Sequence, residues 1–154
     1  NYSAFFDIYI VKICYSIHHS LCNVFCNIVG EDAIDFCLGT HRGCRRYHID
    51  NVPIRLLVTY AGRGTEWLPD AAADRQAFED GRPNKLILKD PSARRFVDGW
   101  DVAIFRGGSK GLLHRTPDAA LNGTSILMRL DHKDFWNNIL GQSQGNVAGK
   151  LAVK

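Results

Sequence analysis

Three residues of the 154-residue chain combine types and spacing that could hold a metal ion: His48, Asp50 and His114. His48-Ile49-Asp50 stands just before the strongest strand signal in the sequence. In an extended segment, residues two apart point to the same face, so an imidazole and a carboxylate can converge on one ion. Alone, such a pair is more often a surface or turn feature. His114 lies 66 residues downstream, directly after a predicted strand over Gly111–Leu113. Two adjacent ligands and a remote histidine make a two-His, one-carboxylate facial triad, which holds one face of an octahedral iron(II) and leaves three positions open. A chelating 2-oxo acid can fill two of these and dioxygen the third, so the protein itself need supply no redox group. Arg129, 15 residues beyond His114, sits inside the apolar run Ile126–Leu130. Burying a guanidinium there is unfavourable unless a carboxylate meets it. Its fork matches a carboxylate, and the distal carboxylate of 2-oxoglutarate is the natural partner. The alternative is an outward-facing Arg129 paired with Asp131 or with solvent.

Further side chains flank this set. Cys44, four residues before His48, opens a zinc reading: zinc prefers Cys and His in a four-coordinate site, and Cys44, His48, Asp50 and His114 would supply four ligands. Arg55 and Tyr60 lie on the strand that leaves the His-x-Asp segment, with core, sheet-surface and substrate-lining roles all open. Glu66 and Trp67 could line a cavity mouth, Trp67 by stacking on a substrate, although a Trp beside Leu68 and Pro69 also reads as packing. Arg115 could support the site or solvate its loop. Ser-His-Asp catalysis ranks below metal binding, and there is neither a P-loop nor a dinucleotide G-x-G-x-x-G.

Strands must position these residues. Ile54–Tyr60 is a β-rich run that ends in the turn signal Ala61–Gly64. Further strands are predicted at Lys85–Lys89, Arg94–Val97, Asp101–Phe105, Gly111–Leu113 and Ser125–Leu130. Gly81–Asn84, Asp90-Pro91, Asp98-Gly99 and Gly107-Gly108 turn the chain between them. This spacing predicts a mainly β domain over residues 41–135, an antiparallel sandwich or jelly roll, with a helical lead-in over 1–40 and a tail over 136–154. Within the lead-in, Leu21, Val24, Phe25 and Ile28 carry the spacing of an amphipathic helix. Ile13–Gly30 contains no Lys, Arg, Asp or Glu over 18 residues, the lower limit of a membrane span, but His18, His19, Asn23 and Asn27 interrupt it. A packing helix is therefore expected, with no membrane partner.

Composition sets the wider frame. At 45% apolar and 23% charged residues, the chain fits one ordinary globular domain, long enough to bury a core without disulfides. A net charge of +3 is mild for a phosphate-tracking surface, so no nucleic acid is expected. The charge is uneven: residues 1–40 hold one lysine against four acids, and residues 41–154 hold 18 basic against 12 acidic residues. All five cysteines, Cys14, Cys22, Cys26, Cys37 and Cys44, lie in the first 44 residues. An odd number without a recognisable signal peptide reads as free thiols in the cytoplasm. Cys22 and Cys26, with His18 and His19 near them, allow a zinc site, though structural cysteines on a helix are the commoner outcome. The first residue is Asn1 rather than Met, so the native start is not given.

The segment Cys44–Tyr60, followed by Gly64-Thr65-Glu66-Trp67-Leu68-Pro69, resembles the bacterial family designated domain of unknown function 1826. Asp101–Gly107, Leu113–Pro117 and Leu127–Asp131 are similar to that family too, and the resemblance covers about residues 35–132. Separately, the order His-x-Asp, strand, Gly-Thr-Glu, strand ending in a glycine, His-Arg and a final-strand Arg resembles the iron(II) and 2-oxoglutarate-dependent dioxygenases. That second resemblance implies a double-stranded β-helix, a cupin-like jelly roll, with His48, Asp50 and His114 as iron ligands and Arg129 as co-substrate anchor. It implies hydroxylation or demethylation of a substrate that the sequence does not name. A zinc-holding protein on the same scaffold, without turnover, is the competing class, and a pure interaction module the third.

Overall fold

The structure is a computed structural model that describes residues 2–40 and 42–133, with side chains from Ser16 onward. The predicted tail at 136–154 and the Cys14 side chain lie outside the described residues. Helix α1 (Tyr2–Val29) ends at Gly30, whose φ of 71° is the left-handed turn that closes many helices. It buries Phe25 completely, with Leu21, Cys22 and Val29 packed beside it. Val24 and Ile28 stay about half exposed, so the apolar stripe is centred on Phe25 and turned away from half of the predicted face. No helix among the described residues is long and apolar enough to cross a membrane.

The rest is mainly β, in two antiparallel sheets. Strands β1 (Ile34–Gly39), β2 (Ile54–Ala61), β5 (Val102–Arg106) and β7 (Ile126–His132) form the larger sheet, in the order β1-β7-β2-β5. Strands β3 (Glu66–Trp67), β4 (Arg95–Phe96) and β6 (His114–Arg115) form the smaller one, in the order β4-β3-β6. A single antiparallel bridge between His48 and His114 adds the His48 segment to its open edge. Helices α2 (Arg75–Glu79) and α3 (Asn84–Ile87) join β3 to β4.

Strand alternation sorts the larger sheet into two faces. Leu56 and Val58 of β2, with Met128 and Leu130 of β7, meet Phe25 of α1 in one core. Each such fully buried side chain contributes roughly 1.5–3 kcal/mol. Arg55 and Leu57 of β2 and Leu127 and Arg129 of β7 face the other way, toward the smaller sheet. A second core, Tyr47, Leu68, Ala73, Ile87 and Leu113, lies on the far side of that smaller sheet beneath α2 and α3.

Three elements differ from expectation. Lys85–Lys89 is not a strand: Pro83 leads into helix α3, and only Leu88 keeps a bridge, to Ala73. Strand β1 falls inside the segment read as a helical lead-in and pairs along its length with β7. Its apolar Phe36 and Leu38 are nearly half exposed, while Cys37 and Asp35 oppose Arg129 and Asp131, so its pattern is not that of an ordinary half-buried strand. The strand expected at Gly111–Leu113 begins instead at His114; Gly111 N–H closes a turn on the Gly108 carbonyl, and the residue is pressed against the Ile49 side chain and the Arg106 backbone. A Cβ there would lie 2.4 Å from Ile49 Cγ2 and 2.7 Å from the Arg106 carbonyl.

Candidate metal centre

The backbone bridge brings the first and last members of the triad together. His48 N–H donates to the His114 carbonyl and His114 N–H to the His48 carbonyl, both at 3.0 Å. The two rings stand 4.3 Å apart, centroid to centroid, and Phe105 closes the other side of His114 at 4.8 Å. Asp50 follows in a loop held down by glycine. Gly108 N–H donates to the Asp50 carbonyl at 3.0 Å, and a Cβ on Gly107 would overlap the carbonyl oxygens of Val52 and Asp50 at 1.9 and 2.4 Å. Gly107 thus allows a backbone approach that seats Asp50 beside the histidines, a role that its reading as a simple turn residue missed.

One ligand atom from each of His48, Asp50 and His114 lies within 4.8 Å of the others. Both imidazoles are fixed the same way: His48 Nδ1 donates to the Arg46 carbonyl at 3.0 Å, and His114 Nδ1 donates to the Leu112 carbonyl at 2.9 Å. A carbonyl can only accept, so each Nδ1 carries a proton, and the neutral form of each ring presents its lone pair at Nε2. Asp50 Oδ1 accepts from Arg55 Nη1. Asp50 Oδ2 is buried without a hydrogen-bond partner, 3.5 Å from His114 Nε2. Two imidazole nitrogens, one half-buried and one buried, and an unpartnered buried carboxylate oxygen converge in a donor set suited to a divalent cation.

Charge continues from Asp50 into the larger sheet. Arg55 Nε donates to Asp131 Oδ1 at 2.6 Å, and Arg129 Nε lies 2.7 Å from Asp131 Oδ2 at an angle outside hydrogen-bond geometry. Burial pushes the Asp131 carboxyl above its ordinary value, against the pull of Arg55 and Arg129. Burial also pushes the His114 imidazole down; His48 and Arg55 add to this, while Asp50 and the Leu112 carbonyl oppose it. The folded protein then binds fewer protons at His114 than the unfolded chain does, so its stability is full above the unfolded value of about 6.5 and is lost as pH falls through it. We expect the unfolding free energy of metal-free protein, measured in urea, to decline below about pH 7, by at most ~1.4 kcal/mol per pH unit from this residue. His114→Gln should flatten that decline; an equally steep curve in the variant would remove His114 from the explanation.

A cavity of about 100 Å³ opens on His48 and His114, and Arg42, Arg55, Thr65, Arg115, Thr116 and Arg129 help to line it. Arg129 therefore shares a cavity with His48 and His114 while also touching Asp131, the partner expected for it if no co-substrate carboxylate meets it. Arg55 is the direct partner of Asp50. Tyr60 is on the other face of β2: its ring contacts Trp100 and His18, and its hydroxyl lies 3.5 Å from Met128 Sδ. Five positions separate it from Arg55, and an odd separation on a strand reverses the face.

Glu66 does not line the cavity. It is fully buried, accepting from the Tyr47 hydroxyl and from Arg115 Nη2, the latter at 2.9 Å. Trp67 is half-buried and opposes His114 in register. Cys44 is exposed and is not part of the converging group. Arg42, Thr65 and Thr116 carried no motif that marked them as lining residues. Ser109 does stand in a G-x-S-x-G spacing, Gly107 to Gly111, but it is exposed in a turn between two strands rather than on a strand-to-helix elbow. A second such spacing, around Ser143, lies outside the described residues.

The family model described as protein of unknown function, DUF1826, matches residues 17–131. That span contains the triad, Arg55 and Arg129. The chain belongs to the DUF1826 family. The match also reaches back into α1 beyond the resemblance at 35–132, taking in Phe25 and the helix face that covers the larger sheet. No curated protein and no solved structure matches this DUF1826 chain.

Proposed function

We propose that this DUF1826 protein is a jelly-roll, mononuclear iron(II) protein that uses 2-oxoglutarate as co-substrate to oxidise an organic substrate. The observation that carries the reading is the buried Asp50 Oδ2, unpartnered and facing His114 Nε2, beside a second histidine oriented the same way. The strand order supports the scaffold. Besides β2 with β7 and β3 with β6, which join the pairs within each sheet, and with the His48 segment counted as a strand, the antiparallel pairs are β1 with β7, His48 with β6, β2 with β5, and β3 with β4. They alternate between the two sheets, as happens when one long antiparallel ribbon is wound into a jelly roll.

His48, Asp50 and His114 would hold iron(II), which supplies dioxygen activation when bound. The chain's own contribution is positional and electrostatic. The Arg46 and Leu112 carbonyls hold both imidazoles through Nδ1, Arg55 holds the second oxygen of Asp50, and the Phe105 ring packs against His114. Arg129, from the floor of the same cavity, offers a guanidinium for a carboxylate. The cytoplasmic expectation belongs with this reading, since a reducing compartment keeps iron in the ferrous state.

Anaerobic titration with iron(II) and then 2-oxoglutarate tests it. We expect one equivalent of iron and a visible charge-transfer band on adding the 2-oxo acid. Arg129→Leu should weaken 2-oxoglutarate by about 10–100-fold, the scale of one charge-assisted contact, and leave iron binding in place. Iron bound with no band, or a band that Arg129→Leu leaves unchanged, would sink the co-substrate reading. Stoichiometric zinc in protein purified without added metal would favour a metal-holding protein without turnover.

A further inference from the structure

We propose that the outer side of the smaller sheet carries a second binding site, for a phosphate-bearing small molecule. An open cavity of about 480 Å³ lies there, lined by none of the three triad residues, within the usual size of small-molecule sites. Four cations line it, Arg45, Arg46, Lys85 and Arg115, against one carboxylate, Asp118.

The cavity is built rather than incidental. The Asn84 side chain donates to the Arg45 carbonyl and accepts from Tyr47 N–H, both at 2.9 Å, so the loop bearing the two arginines is tied to α3. Arg115 is anchored from behind by the buried Glu66 carboxylate at 2.9 Å, with its guanidinium 5.3 Å from the centre of the Tyr47 ring. The Tyr47 hydroxyl donates to that same carboxylate.

Asp118 shows where an anion sits. Its carboxylate reaches Arg45 at 3.2 Å and Arg115 at 3.5 Å while remaining 64% exposed. Such long, solvated contacts are weak, so a better anion displaces them. A phosphate brings more acceptor oxygens and up to two charges to the four cations, and arginine forks match it in two places. The site does not depend on the metal reading: its exposed cations, Arg45 and Lys85, lie outside the triad and outside the inner cavity, and Arg115 alone of the four lines both.

Calorimetric titration of the full chain with pyrophosphate tests the proposal. We expect one saturable equivalent that weakens with added salt. The double variant Arg45→Ala, Lys85→Ala should lower the affinity by about 10-fold or more, and Asp118→Asn should raise it several-fold by removing the internal competitor. Iron(II) binding should be unchanged in both variants. Absence of saturable binding, or binding that both variants leave unchanged, would overturn the site. Loss of pyrophosphate binding in His114→Ala, with the double variant unaffected, would move the anion to the inner cavity. A short single-stranded oligonucleotide that displaces pyrophosphate at far lower concentration would replace the small molecule with a nucleic-acid backbone.

Discussion

Replacing His114 with alanine should abolish stoichiometric iron(II) binding, lowering the affinity by more than the ~10–100-fold seen when an outer-shell partner of a metal ligand is lost. The triad offers three donors, and the other open positions go to solvent or co-substrate, so loss of one nitrogen leaves a two-point site that exposed carboxylates elsewhere can match. The fold should survive the change. The backbone bridge to His48 is made by main-chain atoms, and β6 stays paired with β3 through Glu66 and Trp67. Cys44→Ser is the matched control: the thiol is exposed and outside the converging group, so metal content should not move. Calorimetric titration of both variants, with circular dichroism to confirm folding, decides it. Unchanged iron affinity in His114→Ala would remove the centre; metal lost in Cys44→Ser but kept in His114→Ala would reinstate a thiolate zinc site.

Much of the centre was legible because strand geometry is local. A His-x-Asp pair in extended chain shares a face whatever the fold, and a strong β run directly after it shows that the segment is extended. Most strands were legible for the same reason: β2, β4, β5 and β7 follow runs bounded by turn residues. The failures come from long-range contact. Strand β1 exposes its apolar Phe36 and Leu38 and turns Cys37 toward Arg129, so no window of its own sequence shows a buried face. Lys85–Lys89 is a short apolar run between two lysines that reads as a strand, but the Asn84 side chain ties its start, in helix α3, to the loop at Tyr47.

The role of Glu66 was misread for a related reason. A carboxylate next to Trp67 suggests a cavity mouth, and only the pairing of β3 with β6 shows that Arg115 and Tyr47 hold it under the second core. Gly107 gave a turn signal, while its actual constraint is the backbone of the Asp50 loop less than 2.5 Å from where its Cβ would stand. Single-residue types mark turns well; the surface that presses on them is set by residues far away in the chain.

Arg55→Met should destabilise the metal-free protein by about 3–5 kcal/mol, the scale of breaking a buried ion pair by deleting one partner. Arg55 is 11% exposed and bridges two carboxylates that are almost completely buried, Asp50 and Asp131. Its removal leaves Asp131 with Arg129 at 2.7 Å, but Asp50 loses the cation that holds Oδ1. The missing charge, rather than lost volume, should dominate, because Met retains most of the apolar stem. Two measurements separate these causes. Urea unfolding of Arg55→Met combined with Asp50→Asn and Asp131→Asn should recover most of the loss, since neutral groups need no counter-charge. Added iron(II) should raise the melting temperature of Arg55→Met by more than that of the parent protein, because the ion then supplies the cation Asp50 lacks. If Arg55→Met is as stable as the parent, Asp50 does not depend on this guanidinium. If iron(II) stabilises both proteins equally, Asp50 is not among the metal's ligands, and the donor set falls to the two histidines.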